Sequence, residues 1–223
     1  MHRRRLLGAF AATGAVAVAG CLGGEDGSYE FDAEPASIPG EVLTAAGYAD
    51  EEPEEFRIDE SFDLPGVEAR VSVTTWIAGY ENTEQGAALF VASTPDATVA
   101  GQSVNPLVRA DPVDLLRRVI DQADGGPDDA DADVEEIEER GSETREILGQ
   151  SVEVATFEAQ VEVDVDPDEI DEDLDIEAGD QVPVLVHVAT VAHREDVIAL
   201  VGVHPREVDE GETQRSLMEA VEH

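Results

Sequence analysis

The residue types best suited to chemistry in this 223-residue chain are its histidines. His187 and His204 stand in two consecutive apolar runs, Val182 to Ala192 and Val197 to His204, separated by His193-Arg194-Glu195-Asp196. Two such runs around a short polar break read as an antiparallel hairpin. A two-residue turn at Glu195-Asp196 would set His187 directly opposite His204, with His193 further along the same face. Paired imidazoles ligate zinc or copper, and with a third ligand and an open position they activate water. The chemistry on offer is therefore a metal-dependent or hydrolytic centre on His187, His193 and His204. The competing reading is structural histidines whose ring nitrogens are satisfied inside the fold. Glu-Asp is a poor two-residue turn, and a one-residue slip would put the two rings on opposite faces.

No other constellation names a reaction. The chain has no Gly-x-Ser-x-Gly elbow, no glycine-rich phosphate loop and no His-Glu-x-x-His. Asp164, Asp166 and Asp168 have the alternate spacing of a calcium loop, yet Glu169 stands where that loop needs glycine and Asp175 where it closes with glutamate. The Asp129, Asp131, Asp133 set departs further, with Val134 and Arg140 at those two places. Both read as solvated acidic loops. Trp76, Tyr80 and Phe90 read as core aromatics before pocket walls. No catalytic residue and no cofactor is assigned on these grounds.

Charge sets the solvent. The chain has 53 Asp plus Glu against 13 basic residues, a formal charge of −40, and every basic residue is arginine. High net charge with few aromatics also marks disorder, but several long runs alternate apolar and polar residues as strands do. A lysine-free, carboxylate-covered surface is the pattern of a protein adapted to strong salt, where screening relieves self-repulsion. Nucleic-acid binding is excluded, because it needs basic clusters to neutralise phosphates.

The first residues give an address. Arg3, Arg4 and Arg5 precede Leu6-Leu7 and a small, apolar run ending Val18-Ala19-Gly20-Cys21. A positive n-region, a short h-region and small residues at the cut make residues 1–20 a secretory signal. Arg3 and Arg4 fit the twin-arginine class. The run is shorter than the roughly 20 apolar residues of a membrane span. Cys21 is the sole cysteine, so it reads as a lipid attachment point that ties the chain to the membrane. The expected localisation is the outer face of the cell membrane.

Between address and histidines the elements fall in order. Ser37 to Gly47 predicts a short helix capped by Ser37. Phe56 to Phe62 and Val67 to Tyr80 predict a hairpin around Leu64-Pro65-Gly66, with Val71, Val73, Thr75 and Ile77 on one face. Gln85 to Thr94 predicts a strand, and Thr98 to Leu107 irregular chain. Asp111 to Ala123 predicts an amphipathic helix with Pro112 at its first position. Val134 to Leu148 and Ser151 to Val165 predict strands joined at Gly149-Gln150, with a bulge near Ala159 where the alternation changes phase. Glu210 to Val221 predicts a closing helix. Strands joined by short turns, with helices before, between and after, give an α+β domain: an antiparallel or mixed curved sheet of about six to eight strands with helices packed on it. Residues 1–20 are signal, 21–35 lipid anchor and tether, and 36–223 one globular domain carrying acidic loops at 124–133 and 164–181.

The set of residues resembles a known family. After the lipobox come Ala36-Ser37, Gly47-Tyr48, Val73-Thr74-Thr75-Trp76, Phe90-Val91-Ala92-Ser93-Thr94-Pro95, Asn105-Pro106-Leu107, Thr156-Phe157-Glu158-Ala159, Val201-Gly202-Val203-His204-Pro205 and Val221-Glu222-His223. These resemble a haloarchaeal twin-arginine lipoprotein family of unknown function, from which no catalytic residue is carried over. The element order is also similar to PsbP-like domains, an architectural likeness. The expectation is a non-enzymatic binding or accessory lipoprotein with an uncharged surface among its carboxylates. Its partners would be the membrane, through Cys21, and a cell-envelope protein or small ligand. The alternative is the surface hydrolase or metal-dependent enzyme on His187, His193 and His204.

Overall fold

The computed structural model describes residues 28–64, 67–99, 102–103, 137–162 and 181–223. The signal with Arg3 and Arg4, Cys21, the helix expected at 111–123, the acidic loop at 124–133 and residues 164–180 of the second acidic loop lie outside them.

Among the described residues ten strands and two helices follow in order: β1 (Ser28–Asp32), α1 (Gly40–Ala46), β2 (Glu54–Leu64), β3 (Val67–Asn82), β4 (Ala87–Pro95), β5 (Thr98–Val99), β6 (Gln102–Ser103), β7 (Glu138–Ile147), β8 (Gln150–Glu162), β9 (Gln181–His193), β10 (Asp196–Pro205) and α2 (Gly211–Glu219). Eight strands form one mixed sheet in the order β1-β3-β4-β10-β9-β8-β7, with β2 also on β3; β5 and β6 make a separate pair. Every pairing is antiparallel except β1 with β3. β1 and β2 both pair with residues 70–74 of β3, so they lie on its opposite edges. The sheet is open: β2 and β7 end it among the described residues.

Alternation along the strands assigns two faces. On one face the helices contribute Leu43, Leu217 and Met218 to a core with Ala78, Tyr80, Leu89, Val91, Val154, Val191 and Leu200. The opposite face carries a smaller cluster of Ala155, Phe157, Ala159, Val184, Val186, Val188 and Val201. The central strands β8 to β10 are apolar on both faces for this reason, as strands covered on both sides are.

Several expectations are corrected. Ser37 does not cap α1. Its backbone bridges Glu222 instead, through Ser37 N–H to Glu222 O at 3.0 Å and Glu222 N–H to Ser37 O at 2.8 Å, and Pro39 takes the N-cap position without a side-chain bond. Residues assigned to the tether form β1, because Tyr29 and Phe31 find apolar partners in Val71 and Val73. The 98–107 stretch contains the β5–β6 pair instead of being wholly irregular. The bulge is in β7 at Glu139/Gly141, while the β8–β9 ladder runs unbroken through Ala159. The phase change marks a switch in which face is buried: Val152 and Val154 join the helix-side core, Ala155, Phe157 and Ala159 the other.

Candidate functional site

The β9–β10 hairpin places the histidines. Its turn is Arg194-Glu195, with Arg194 at φ 57°, and Asp196 pairs with His193. The register therefore differs by two residues from the one expected. Gly202 and not His204 stands opposite His187. A two-residue change preserves the face, so His187 and His204 still meet, diagonally across Gly202. Their Nε2 atoms are 3.2 Å apart and their ring centroids 5.3 Å, so the two nitrogens point toward each other. Both side chains are buried, 1% and 2% exposed.

The outer ring nitrogens fix the proton arrangement. His204 Nδ1 is 2.9 Å from Pro205 O; a carbonyl only accepts, so Nδ1 carries the proton and Nε2 accepts. His187 Nε2–H then donates to His204 Nε2, and His187 Nδ1 accepts from Thr156 Oγ1–H at 2.9 Å. The chain Thr156–His187–His204–Pro205 is complete with both rings neutral. Burial first, then the Arg215 charge and the neighbouring His204, push the His187 pKa down to about 3. A base that weak does little proton transfer near neutrality, which favours binding over acid–base work.

The pair opens on a pocket of about 320 Å³ lined by Thr156, His187, His204, Arg206, Asp209, Arg215 and neighbouring residues of the β10–α2 connection. Its arginines are held by carboxylates. Arg206 Nη1 reaches Glu158 Oε1 at 3.0 Å; Arg215 pairs with Glu143, and with Glu212 at 3.2 Å. Arg145 joins the same group, 2.6 Å from Glu212 and 2.8 Å from Glu143. Hydrogen bonds from Arg145, then Arg215, push the Glu212 pKa down to about 2. Neither Arg206 nor Arg215 was singled out from the sequence. The available signal was rarity, since any arginine among so many carboxylates is drawn into a network.

Gln214 ties α2 to the sheet beside this pocket. It is fully buried, and its Nε2 donates to Ala88 O at 3.1 Å, Val203 O at 2.8 Å and Tyr48 Oη at 3.3 Å. Ala88 and Val203 are cross-strand partners at the end of the β4–β10 ladder, so one amide closes it. Gly202 permits the approach: a Cβ there would come within 2.5 Å of Gln214 Oε1. Burial is the main cause of the rise of the Tyr48 pKa to about 12, so Tyr48 stays protonated and its hydroxyl lies 3.4 Å from Glu210 Oε2. Gln214→Ala is expected to cost about 2–4 kcal/mol, because buried carbonyls lose their donor and a cavity is left. Urea unfolding in molar salt measures it.

His193 does not join the pair. Six residues of strand put it about 20 Å from His187, beside the C-terminal residue. His193 Nδ1 is 2.9 Å from His223 Nδ1, His223 Nε2 is 3.1 Å from Asp196 Oδ2, and Asp196 Oδ2 also accepts from Glu34 N–H at 2.9 Å. His223 has no local sequence signal, since its contacts span 27 to 130 residues. Ser93 Oγ also approaches this ring, at 3.5 Å from His223 Nε2. Serine and aspartate thus share one ring nitrogen, whereas a catalytic triad places them on opposite nitrogens. The three-histidine centre is not assembled, and no group of three or more metal-ligating side chains occurs among the described residues.

The other aromatics named from sequence are placed outside the pocket. Tyr80 is buried with its Oη accepting from Ile38 N–H at 3.0 Å, and Trp76 Nε1–H donates to Ala33 O at 2.9 Å. Phe90 is half-buried on the face opposite the helices. There it belongs to a strip across β1 to β4 with Phe31, Phe56, Ile58, Val73 and Ile77, where Phe56 is 44% and Ile58 52% exposed.

Residues 35–222 match the protein family described as Domain of unknown function (DUF6517). No curated protein matches the chain. Among solved structures, the solution structure of cyanobacterial PsbP (CyanoP) from Synechocystis sp. PCC 6803 is weakly similar, with a TM-score of 0.32 and 16% identity over 84% of this chain and 91% of that one.

Proposed function

The chain belongs to the DUF6517 family of domains of unknown function, and for it we propose the role of a non-enzymatic binding module, exported and held on the outer face of the cell membrane by lipid on Cys21. The observation that carries the binding role is the strip of Phe31, Phe56, Ile58, Val73, Ile77 and Phe90. Large apolar side chains left half-exposed on a sheet face, in a chain of net charge −40, are the kind of patch that marks an interaction site. In molar salt, charge attraction is screened within about 3 Å. Apolar contact then supplies most of the available affinity. The partner is a cell-envelope protein presenting an apolar surface. Glu54, Glu55, Arg57 and Asp59, all exposed on the same edge strand, guard the patch against self-pairing, as charges on edge strands do.

The haloarchaeal lipoprotein reading rests on the signal, the lipobox and the lysine-free composition. Crosslinking of native membranes in molar salt, followed by recovery of the chain, tests both parts. Phe56→Ser with Ile58→Ser is expected to leave folding intact and abolish the crosslinked partner. An unchanged crosslink in that variant overturns the apolar surface as the contact, and recovery of the chain outside the membrane fraction overturns the anchor.

A further inference from the structure

We propose that His187 and His204 form a two-imidazole site for a divalent transition-metal ion, Cu²⁺ most tightly and Zn²⁺ less so, open to the pocket beneath α2. Two ligands at tetrahedral angles with metal–nitrogen bonds of about 2.0–2.1 Å have nitrogens roughly 3.3 Å apart. The observed Nε2–Nε2 separation is 3.2 Å, so binding requires little movement of either ring. Each imidazole already has the partner that orients a metal ligand through its other nitrogen. Pro205 O holds the His204 Nδ1 proton, which leaves its Nε2 lone pair free. Thr156 Oγ1, at 2.9 Å from His187 Nδ1, accepts as readily as it donates.

The proton balance is internal. On binding, the single proton of His187 moves from Nε2 to Nδ1, the threonine hydroxyl turns to accept it, and the two Nε2 lone pairs converge on the ion. No proton is released. The remaining coordination positions face the pocket and take water or an anion. Arg215 lies near and its charge opposes a cation at His187; Glu143 and Glu212, paired with it, reduce that repulsion, and the guanidinium suits an anion bound on the metal. Gly211 keeps the approach clear: a Cβ there would stand 3.2 Å from His187 Nε2 and 3.1 Å from Arg215 Nη1. The preference for Cu²⁺ over Zn²⁺ follows the usual order for imidazole sites.

Titration of the full purified chain with Cu²⁺ and with Zn²⁺ in molar salt, followed by Cu²⁺ electron paramagnetic resonance, tests the site. The expected result is one Cu²⁺ per chain with hyperfine splitting from two nitrogens, bound at least tenfold more tightly than Zn²⁺. His187→Gln with His204→Gln should remove the nitrogen splitting and leave only weak carboxylate binding. Thr156→Ala should weaken Cu²⁺ about tenfold or more. Gly211→Ala retains both ligands and improves helix propensity, so it should fold normally and still lose affinity. Equal binding by wild type and the double glutamine variant overturns the site. So does wild-type affinity in Gly211→Ala, which decides the matter if the glutamine variant fails to fold.

Discussion

Moved from molar salt into dilute buffer, the domain is expected to lose its sheet in one cooperative transition, read as loss of the far-ultraviolet β signal. With 53 carboxylates against 13 arginines, unscreened repulsion acts between charges up to a Debye length apart, about 30 Å at 0.01 M salt and about 3 Å at 1 M. The opposing terms are modest. The described ion pairs are mostly at the surface, where each contributes about 0–1 kcal/mol. Marginal stability of about 5–15 kcal/mol cannot withstand repulsion summed over tens of charges. The weakest points are the edges: β7 carries Glu138, Glu139, Glu143 and Glu146, and seven consecutive residues at its start are exposed. Sulfate should protect better than chloride at equal ionic strength, because it also strengthens apolar burial. Full cooperative folding in dilute buffer would contradict adaptation to salt.

Much of the fold was legible because its sheet is built from long alternating runs bounded by turn residues. The turns themselves were read one residue late. At the β7–β8 turn Leu148 and Gly149 take φ 50° and 71°, so Gln150 begins the next strand. At the β9–β10 turn Asp196 belongs to the strand because its carboxylate is engaged by Glu34 N–H and His223, contacts that no local pattern announces. The face of β3 was the harder question. Val71, Val73, Thr75 and Ile77 form the more apolar set, yet Thr74, Ala78 and Tyr80 are the buried residues facing the helices. Period-two patterning tells which residues share a face but not what covers it. Thr74 tolerates burial by donating to Asp32 at 2.6 Å, and Tyr80 by accepting from Ile38 N–H. Of the apolar set, Val71 is buried on the face opposite the helices, while Val73 and Ile77 keep only partial cover and join the strip.

The candidate site shows the same division. That His187 and His204 share a face was expected only for one turn register, and it survived the register error because that error was even. That His193 stands apart follows from strand rise alone. The arginine network and Gln214 depend on where α2 lands, and that is set by packing between distant elements. Gly202 and Gly211 are small where Gln214 and His187 approach closely, a meaning invisible before the partners are known.

Acid should destabilise the metal-free fold through His187 before its carboxylates respond. Burial, with the Arg215 charge and His204, lowers the folded pKa of His187 from 6.5 to about 3. The unfolded chain therefore binds a proton below about pH 6.5 that the folded chain refuses until about pH 3, and stability falls as pH drops through that window. Above pH 6.5 the two states bind equally and the contribution is flat. Between pH 7 and pH 5 the loss is about 2 kcal/mol, from roughly 1.4 kcal/mol per pH unit below the unfolded value. Carboxylates act in the opposite direction, since their protonation relieves repulsion, but that begins nearer their unperturbed values of about 4, and molar salt mutes it. Urea midpoints in molar salt with a chelator present should thus fall from pH 7 to pH 5 in the wild type. In His187→Gln, which removes the titrating group, that fall should shrink by about 2 kcal/mol while the midpoint at pH 7 is already lower. A slope unchanged by the substitution would mean that His187 takes up its proton within the folded chain, and the neutral Thr156–His187–His204–Pro205 chain would then be wrong.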